Sequence, residues 1–370
     1  MRLPVAVLVL ALTACTASTP VVEPTTTTSP SASPTSTPKP RIVPKEPVRA
    51  AVIVDGTIQL YDVATDVVTP LASGGSLSNL AWLSANEIAV VQDGAGVSTL
   101  RRIDIRTAAN TDVVTVEGDL LAYGFDPQQT VLATMVATAD GFVEVELRYL
   151  VGDRAVQRLT TMRLDGSDRT LDVQFAATFS PNGEHVLIVH TENTDGSGTT
   201  APLQVRGIDG RLEYWVGADR DPTAATWMPD GSLVFRSLDG ARRWKPGKPD
   251  SSAIGDVSTW YDPSPGPAGK LVAFDTGRVS RNVQVRRVNV LTGEVVDIGP
   301  PGRAHPIYAA GNQIWTQIVQ RCRPDCLEPF VLGPIVYSIN PNSGQERVLR
   351  LPTLDGLALW SEAPSDAPEE

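Results

Sequence analysis

Residues 176–190 read AATFSPNGEHVLIVH, and residues 224–237 read AATWMPDGSLVFRS. Both run through small residues, an aromatic, x-Pro, then Asn-Gly or Asp-Gly and an apolar stretch. Asn-Gly and Asp-Gly tolerate φ > 0 and reverse the chain tightly. A short apolar run bounded by such turns reads as a strand buried on both faces. Each stretch therefore encodes an inner strand with an aromatic anchor, a turn, and a fully buried strand.

Weaker copies follow the same plan: LAWLSANEIAVV (80–91), AYGFDPQQTVLATMV (122–136), TWYDPSPGPAGKLVAF (259–274) and IYAAGNQIWTQI (307–318). The anchors Trp82, Phe125, Phe179, Trp227, Tyr261 and Tyr308 lie 43, 54, 48, 34 and 47 residues apart, a β-propeller period. Each period has a second half in which a strand enters a Gly turn and a short last strand: TMRLDGSDRTL (161–171), VRRVNVLTGEVVDI (285–298) and VYSINPNSGQERVL (336–349). Four strands per repeat result, A to D. The segment 50–71 reads as B, C and D without an A, and LDGLALWSEAP (354–364) reads as a lone A with anchor Trp360. Pairing them closes a ring and removes open sheet edges. The expected fold is all-β: one propeller of seven four-stranded blades over 46–362, closed by the C-terminal strand. Six or eight blades would follow if blade 3 or blade 7 were misread.

The F-S-P-N/D-G…L-V-F module resembles the repeat of TolB-type propellers and their WD-repeat-like relatives across nearly all of 46–362. Blades 4 and 5 carry it best, whereas blade 7 has no x-Pro after Tyr308. The resemblance implies the fold and says almost nothing of activity.

Ahead of the propeller, residues 1–14 form a minimal signal, with Arg2 followed by an uncharged stretch too short to span a bilayer, which needs about 20 residues. Leu12-Thr13-Ala14-Cys15 resembles the lipobox of bacterial lipoproteins, which implies cleavage before Cys15 and acylation of its thiol. From there to residue 45 the chain is mostly Thr, Ser and Pro, a composition that cannot offset ordering entropy. It is expected to be a disordered tether reaching at most ~90 Å at about 3.1 Å per residue. Residues 363–370 read as an acidic solvated tail. The two other cysteines, Cys322 and Cys326, form an isolated pair, expected as a disulfide in an exported protein. A bridge over so small a ring stabilises by roughly 2 kcal/mol and chiefly stiffens a loop.

Chemistry is sparse. There is no G-x-S-x-G, H-E-x-x-H or P-loop, and GAGVST (94–99) falls between strands B and C as a hairpin turn. His185 and His190 bracket one strand at odd spacing and point to opposite faces, and His305 stands alone. Inner strands read AATF, AATW and STWY rather than carboxylate-bearing. ENTDGSGTT (192–200) offers oxygen ligands without regular calcium-loop spacing and reads as a flexible loop. No enzyme, cofactor or metal is expected. Prolyl oligopeptidase-type caps would need a hydrolase beyond the ring, for which the closing strand leaves no chain.

Long irregular segments, at about 138–155, 191–201 and 319–334, fall between strands B and C. B–C and D–A connections share one face of the disc, and recognition concentrates on loops of rigid scaffolds. That face is expected to gather Arg220, Arg278, Arg281, Arg303, Arg321 and Arg323, interleaved with Asp219, Asp221 and Asp325. The net charge of −11 argues against nucleic-acid partners. The expected protein is a monomeric, lipid-anchored propeller on the extracytoplasmic side, binding an envelope protein or a cell-wall component. The alternative is a metal-dependent lactonase-like enzyme, or a small-ligand sensor using the central channel.

Overall fold

The computed structural model describes residues 49–62, 65–163, 174–191, 203–216, 223–237, 239–266, 269–277, 280–309, 313–321, 330–351, 353–354 and 356–360. The signal, Cys15, the tether, Cys322, Cys326, Arg220, Arg278, Arg323, the three interleaved aspartates, ENTDGSGTT and the acidic tail lie outside them.

The described residues form seven four-stranded antiparallel sheets. Blade 1 takes strand A from Ala358–Trp360 and strands B, C and D from Arg49–Val54, Thr57–Asp62 and Val67–Ser73. Arg49 pairs with Trp360 and Ala51 with Ala358, so the last strand closes the ring as expected. Strand A of this blade ends, and strand B begins, on the face that carries the A–B and C–D turns. Blades 2 to 7 follow as A-B-C-D meanders.

The core is divided among the seams between blades. Alternate side chains of a strand point to opposite faces, so each strand B feeds two seams. In blade 4, whose strand B is His185–Thr191, Val186 and Ile188 pack toward blade 3 while Leu187 and Val189 pack toward blade 5. In blade 2, with strand B Glu87–Asp93, Ile88 and Val90 face blade 1 while Ala89 and Val91 face blade 3. This is why the B strands read as continuous apolar runs. Each fully buried Val, Leu or Ile contributes roughly 1.5–3 kcal/mol.

The aromatic anchors reach back to the preceding blade. The Trp82 indole N–H donates to the Ala358 carbonyl of blade 1 at 3.0 Å, and that of Trp227 donates to Thr178 of blade 4 at 3.1 Å. The guanidinium of Arg102 lies over Phe125, and that of Arg236 over Tyr261. Phe179 and Tyr308 pack into the seams with blades 3 and 6.

The turn in the opening quotation is closed by Gly183 N–H to the Ser180 carbonyl at 2.9 Å, with Gly183 at φ 74°. The Ser180 hydroxyl accepts the His185 N–H at 3.0 Å. Blade 5 repeats this turn with Gly231 and Met228. Blade 3 builds it without glycine: Gln129 takes φ 57°, and Asp126 accepts the Thr130 and Val131 N–H groups.

Blade 3 departs from expectation in its second half. Residues 138–155 are not a long B–C loop, because Phe142–Tyr149 is strand C, joined to strand B (Val131–Ala137) by a tight turn. Gln157–Arg163 is strand D, so the segment 161–171 does not supply strands C and D. The reason is clean alternation: Val143, Val145 and Leu147 are fully buried, while Glu144 pairs with Arg158 and Glu146 with Arg148 on the other side. In blade 7, strand B (Gln313–Arg321) and strand C (Phe330–Ile339) extend into the expected loop 319–334. By chain order, 164–173 joins strand D of blade 3 to strand A of blade 4, 192–202 joins B to C in blade 4, and 276–284 joins B to C in blade 6.

Candidate functional site

Strands A of neighbouring blades line the inner ring, and four of them carry the same distortion. Ladder register slips between Ser78 and Ala81, Thr223 and Thr226, Tyr261 and Ser264, and Ala304 and Ile307. Within each slip one non-glycine residue is left-handed: Asn79 (φ 48°), Ala224 (47°), Asp262 (47°) and His305 (55°). A bulge adds an unpaired residue and re-aims its side chain. Asp262 and His305 precede Pro263 and Pro306, which have no N–H to lose from the ladder. Left-handed backbone costs least in Asn, Asp and His, so Ala224 is the most strained of the four.

These bulges lie near the start of strand A, at the B–C/D–A end of the ring. In blades 6 and 7 they assemble a polar cluster. Asp275 ends strand B of blade 6 (Leu271–Asp275), is 2% exposed, and pairs across the ladder with Tyr261. Its Oδ2 accepts the backbone N–H of His305 from blade 7 at 3.2 Å, and its Oδ1 accepts that of Gly277 at 3.4 Å. The His305 Nδ1 lies 3.4 Å from Asp262 Oδ2, and both side chains are partly exposed. Burial, then the neighbouring charge of Asp262, pushes the Asp275 carboxyl up to about 7, while the two N–H donors and His305 act in the opposite direction. The cluster can hold a proton near neutrality and offers carboxylate oxygens to a cationic group.

Sequence reasoning missed this cluster. It took STWY (258–261) as the inner strand of blade 6, whereas the strand is Tyr261–Pro265 and brings a carboxylate to the ring. Nor does His305 stand alone. The signal present was the pair of Asp-Pro and His-Pro steps at equivalent places in adjacent repeats. Among the described residues, no group of three or more His, Cys, Asp or Glu is arranged to hold a metal ion.

Three of the face arginines are described, and they differ in exposure. Arg281 and Arg321 are exposed; Arg321 pairs across the ladder with Phe330, and the Arg281 guanidinium lies 6.0 Å from the Phe330 ring centre. Arg303 is instead an internal fastener. Its Nε and Nη2 donate to the two carboxylate oxygens of Glu346 at 3.0 Å each, and it lies 4.0 Å over the Tyr337 ring, with 12% of its side chain exposed. His185 is also built in: its Nε2 lies 2.9 Å from Glu213 Oε2, and its ring packs on Trp227.

Among the described residues no helix is long and apolar enough to cross a membrane. No family model and no curated protein matches the sequence. Solved structures do resemble the fold. The tricorn protease superposes with a TM-score of 0.57 at 12% identity, over 87% of this chain and 35% of its own. A functionally unknown protein from Desulfotomaculum acetoxidans gives 0.54 at 13%, over 86% of this chain and 99% of its own. TolB from Acinetobacter baumannii gives 0.49 at 14%, over 87% and 68%. The chain thus spans about a third of the tricorn protease chain, and what it shares with the first two of these structures is the fold.

Proposed function

We propose that the protein is a non-enzymatic interaction propeller of the cell envelope, held to the membrane by a lipid on Cys15, whose partner docks on the B–C/D–A face. The observation that carries this reading is the pair of exposed arginines, Arg281 and Arg321, at the B–C/D–A end of a closed ring. The exposed Arg281 and Arg321 around Phe330 give that face cationic and aromatic contacts suited to an acidic patch on an envelope protein or cell-wall component.

Photo-crosslinkers placed at Arg281 and at Leu291, which lies in a C–D turn on the other face, test this in intact cells. Capture of one dominant envelope component from position 281 alone is the expected result. Equal capture from both positions would sink the face assignment. Release of a Cys15→Ala variant from the membrane fraction tests the anchor separately.

A second reading rests on Asp262, Asp275 and His305: a sensor whose ligand places an ammonium or guanidinium group at the channel mouth. A lactonase-like metal enzyme would need donors beyond the described residues. Saturable binding of a small cationic ligand, abolished by Asp262→Asn, would favour the sensor.

A further inference from the structure

On a chain of net charge −11, the segment ARRWKPGKPDSS (241–252) places four cations within residues 242–248. It joins strand C of blade 5 (Gly240–Trp244) to strand D (Ser252–Ala253) on the A–B/C–D face. Lys245-Pro246-Gly247-Lys248 is a β-turn closed by the Lys248 N–H on the Lys245 carbonyl at 3.1 Å, with Gly247 at φ 75°. Pro then Gly at the two central positions suits a type II turn, whose first and fourth Cα atoms lie within about 7 Å. Both lysines are exposed and therefore held as neighbours.

The turn is rigid. The Trp244 indole N–H donates to the Lys248 carbonyl at 2.8 Å, and its ring stacks on Tyr214 with centres 4.6 Å apart. Across the hairpin, Arg242 donates from Nε to the Ser251 hydroxyl at 2.8 Å and from Nη2 to the Ser251 carbonyl at 2.9 Å. Arg243 is committed to Asp230 and Ser232. Lys245 and Lys248 have no carboxylate partner among the described residues.

Lys245, Lys248 and Ser251, with Arg243, line a hollow of about 420 Å³ in which Asp250 is the one carboxylate. Like charges held on neighbouring side chains repel, and an anion bound between them relieves that repulsion. The Ser251 oxygen accepts from Arg242, so its hydrogen remains free to donate. The hollow is thus lined by two ammonium-bearing side chains and a hydroxyl donor. A group with several acceptor oxygens and a full negative charge complements this set.

We propose that this hollow binds a phosphate group, supplied by a lipid headgroup or by a free or polymer-borne phosphate ester. Isotope-labelled full-length protein titrated with glycerol phosphate should show saturable amide shifts confined to residues 245–252. Affinity should fall at least tenfold in a Lys245→Gln/Lys248→Gln variant whose melting temperature is unchanged. Sedimentation with vesicles of equal parts phosphatidylglycerol and phosphatidylcholine, against phosphatidylcholine alone, separates the sources. Co-sedimentation that needs both lysines and the anionic lipid assigns the headgroup. Amide shifts without co-sedimentation assign the free or polymer-borne ester. No shift at 245–252, or equal shifts in the double variant, overturns the proposal. Because Arg281 lies on the other face, Arg281→Gln should leave this binding intact.

Discussion

The backbone N–H of His305 donates to the carboxylate of Asp275 at 3.2 Å, joining the inner strand of blade 7 to the second strand of blade 6. The contact sits beside two left-handed bulges, at Asp262 and His305. A buried carboxyl is thereby part of the seam between two blades, and its protonation is coupled to how well that seam holds.

Stability should depend on Asp275 in the acid range. Its value of about 7 in the folded protein lies above the ordinary ~4 of the unfolded chain. The native state therefore keeps a proton that the unfolded chain releases. The resulting stabilisation is complete below about pH 4 and is lost as pH rises toward 7, by an amount on the order of 4 kcal/mol. Asp275→Asn, permanently neutral, should flatten this dependence and be more stable than the parent at pH 8. Urea unfolding at pH 5 and pH 8 measures both slopes, and parallel slopes would contradict the assignment.

Ring closure should weaken when the Trp82 bond to Ala358 is removed. Trp82→Phe is expected to cost about 1 kcal/mol and to speed amide exchange in Arg49–Val54 as the last strand frays. Trp227→Phe loses an equivalent bond, to Thr178, at similar cost. It should leave exchange in Arg49–Val54 unchanged, because its bond joins blades 4 and 5.

Close approach in the inner ring should make Gly124 intolerant of a side chain. A Cβ there would stand 2.3 Å from the Ala177 carbonyl oxygen of the next blade, and both groups are fixed backbone. Gly124→Ala is expected to lose more than ~2 kcal/mol, whereas Gly75→Ala, with open space around it, should stay within ~0.5 kcal/mol. Thermal melts of the two variants decide this.

The face arginines should separate by role. Arg303→Lys gives up a two-pronged bond to Glu346 that an ammonium group cannot reproduce. It should cost about 1–2 kcal/mol while leaving partner capture intact. Arg281→Glu and Arg321→Glu, both at exposed positions, should change stability by less than ~0.5 kcal/mol and reduce capture. Denaturation and crosslinking yields, measured on the same variants, distinguish the two classes.

Anchors and turns were legible in the sequence because each encodes local geometry. An aromatic before x-Pro-x-Gly at a regular period needs no knowledge of its partners. Strand C of blade 3 was not legible because Phe142–Tyr149 carries charges on its outer side, and Leu164-Asp165-Gly166 imitates the hairpin turn of other blades. The polar cluster was hidden for a different reason. Whether Asp262 lies in a strand, and whether His305 bulges, depends on pairing register with strands far along the chain. Asp275 looks like the end of an apolar run until blade 7 covers it.

Strand Arg49–Val54 is hydrogen-bonded on both flanks, to Ala358–Trp360 and to Thr57–Asp62. Tension applied to the chain ahead of Arg49, with the propeller gripped at its opposite face, runs along this strand. Both rows of bonds then bear load together in shear, instead of opening rung by rung as a peeled edge would. The seam that completes the ring is therefore also its mechanical clamp against such a pull.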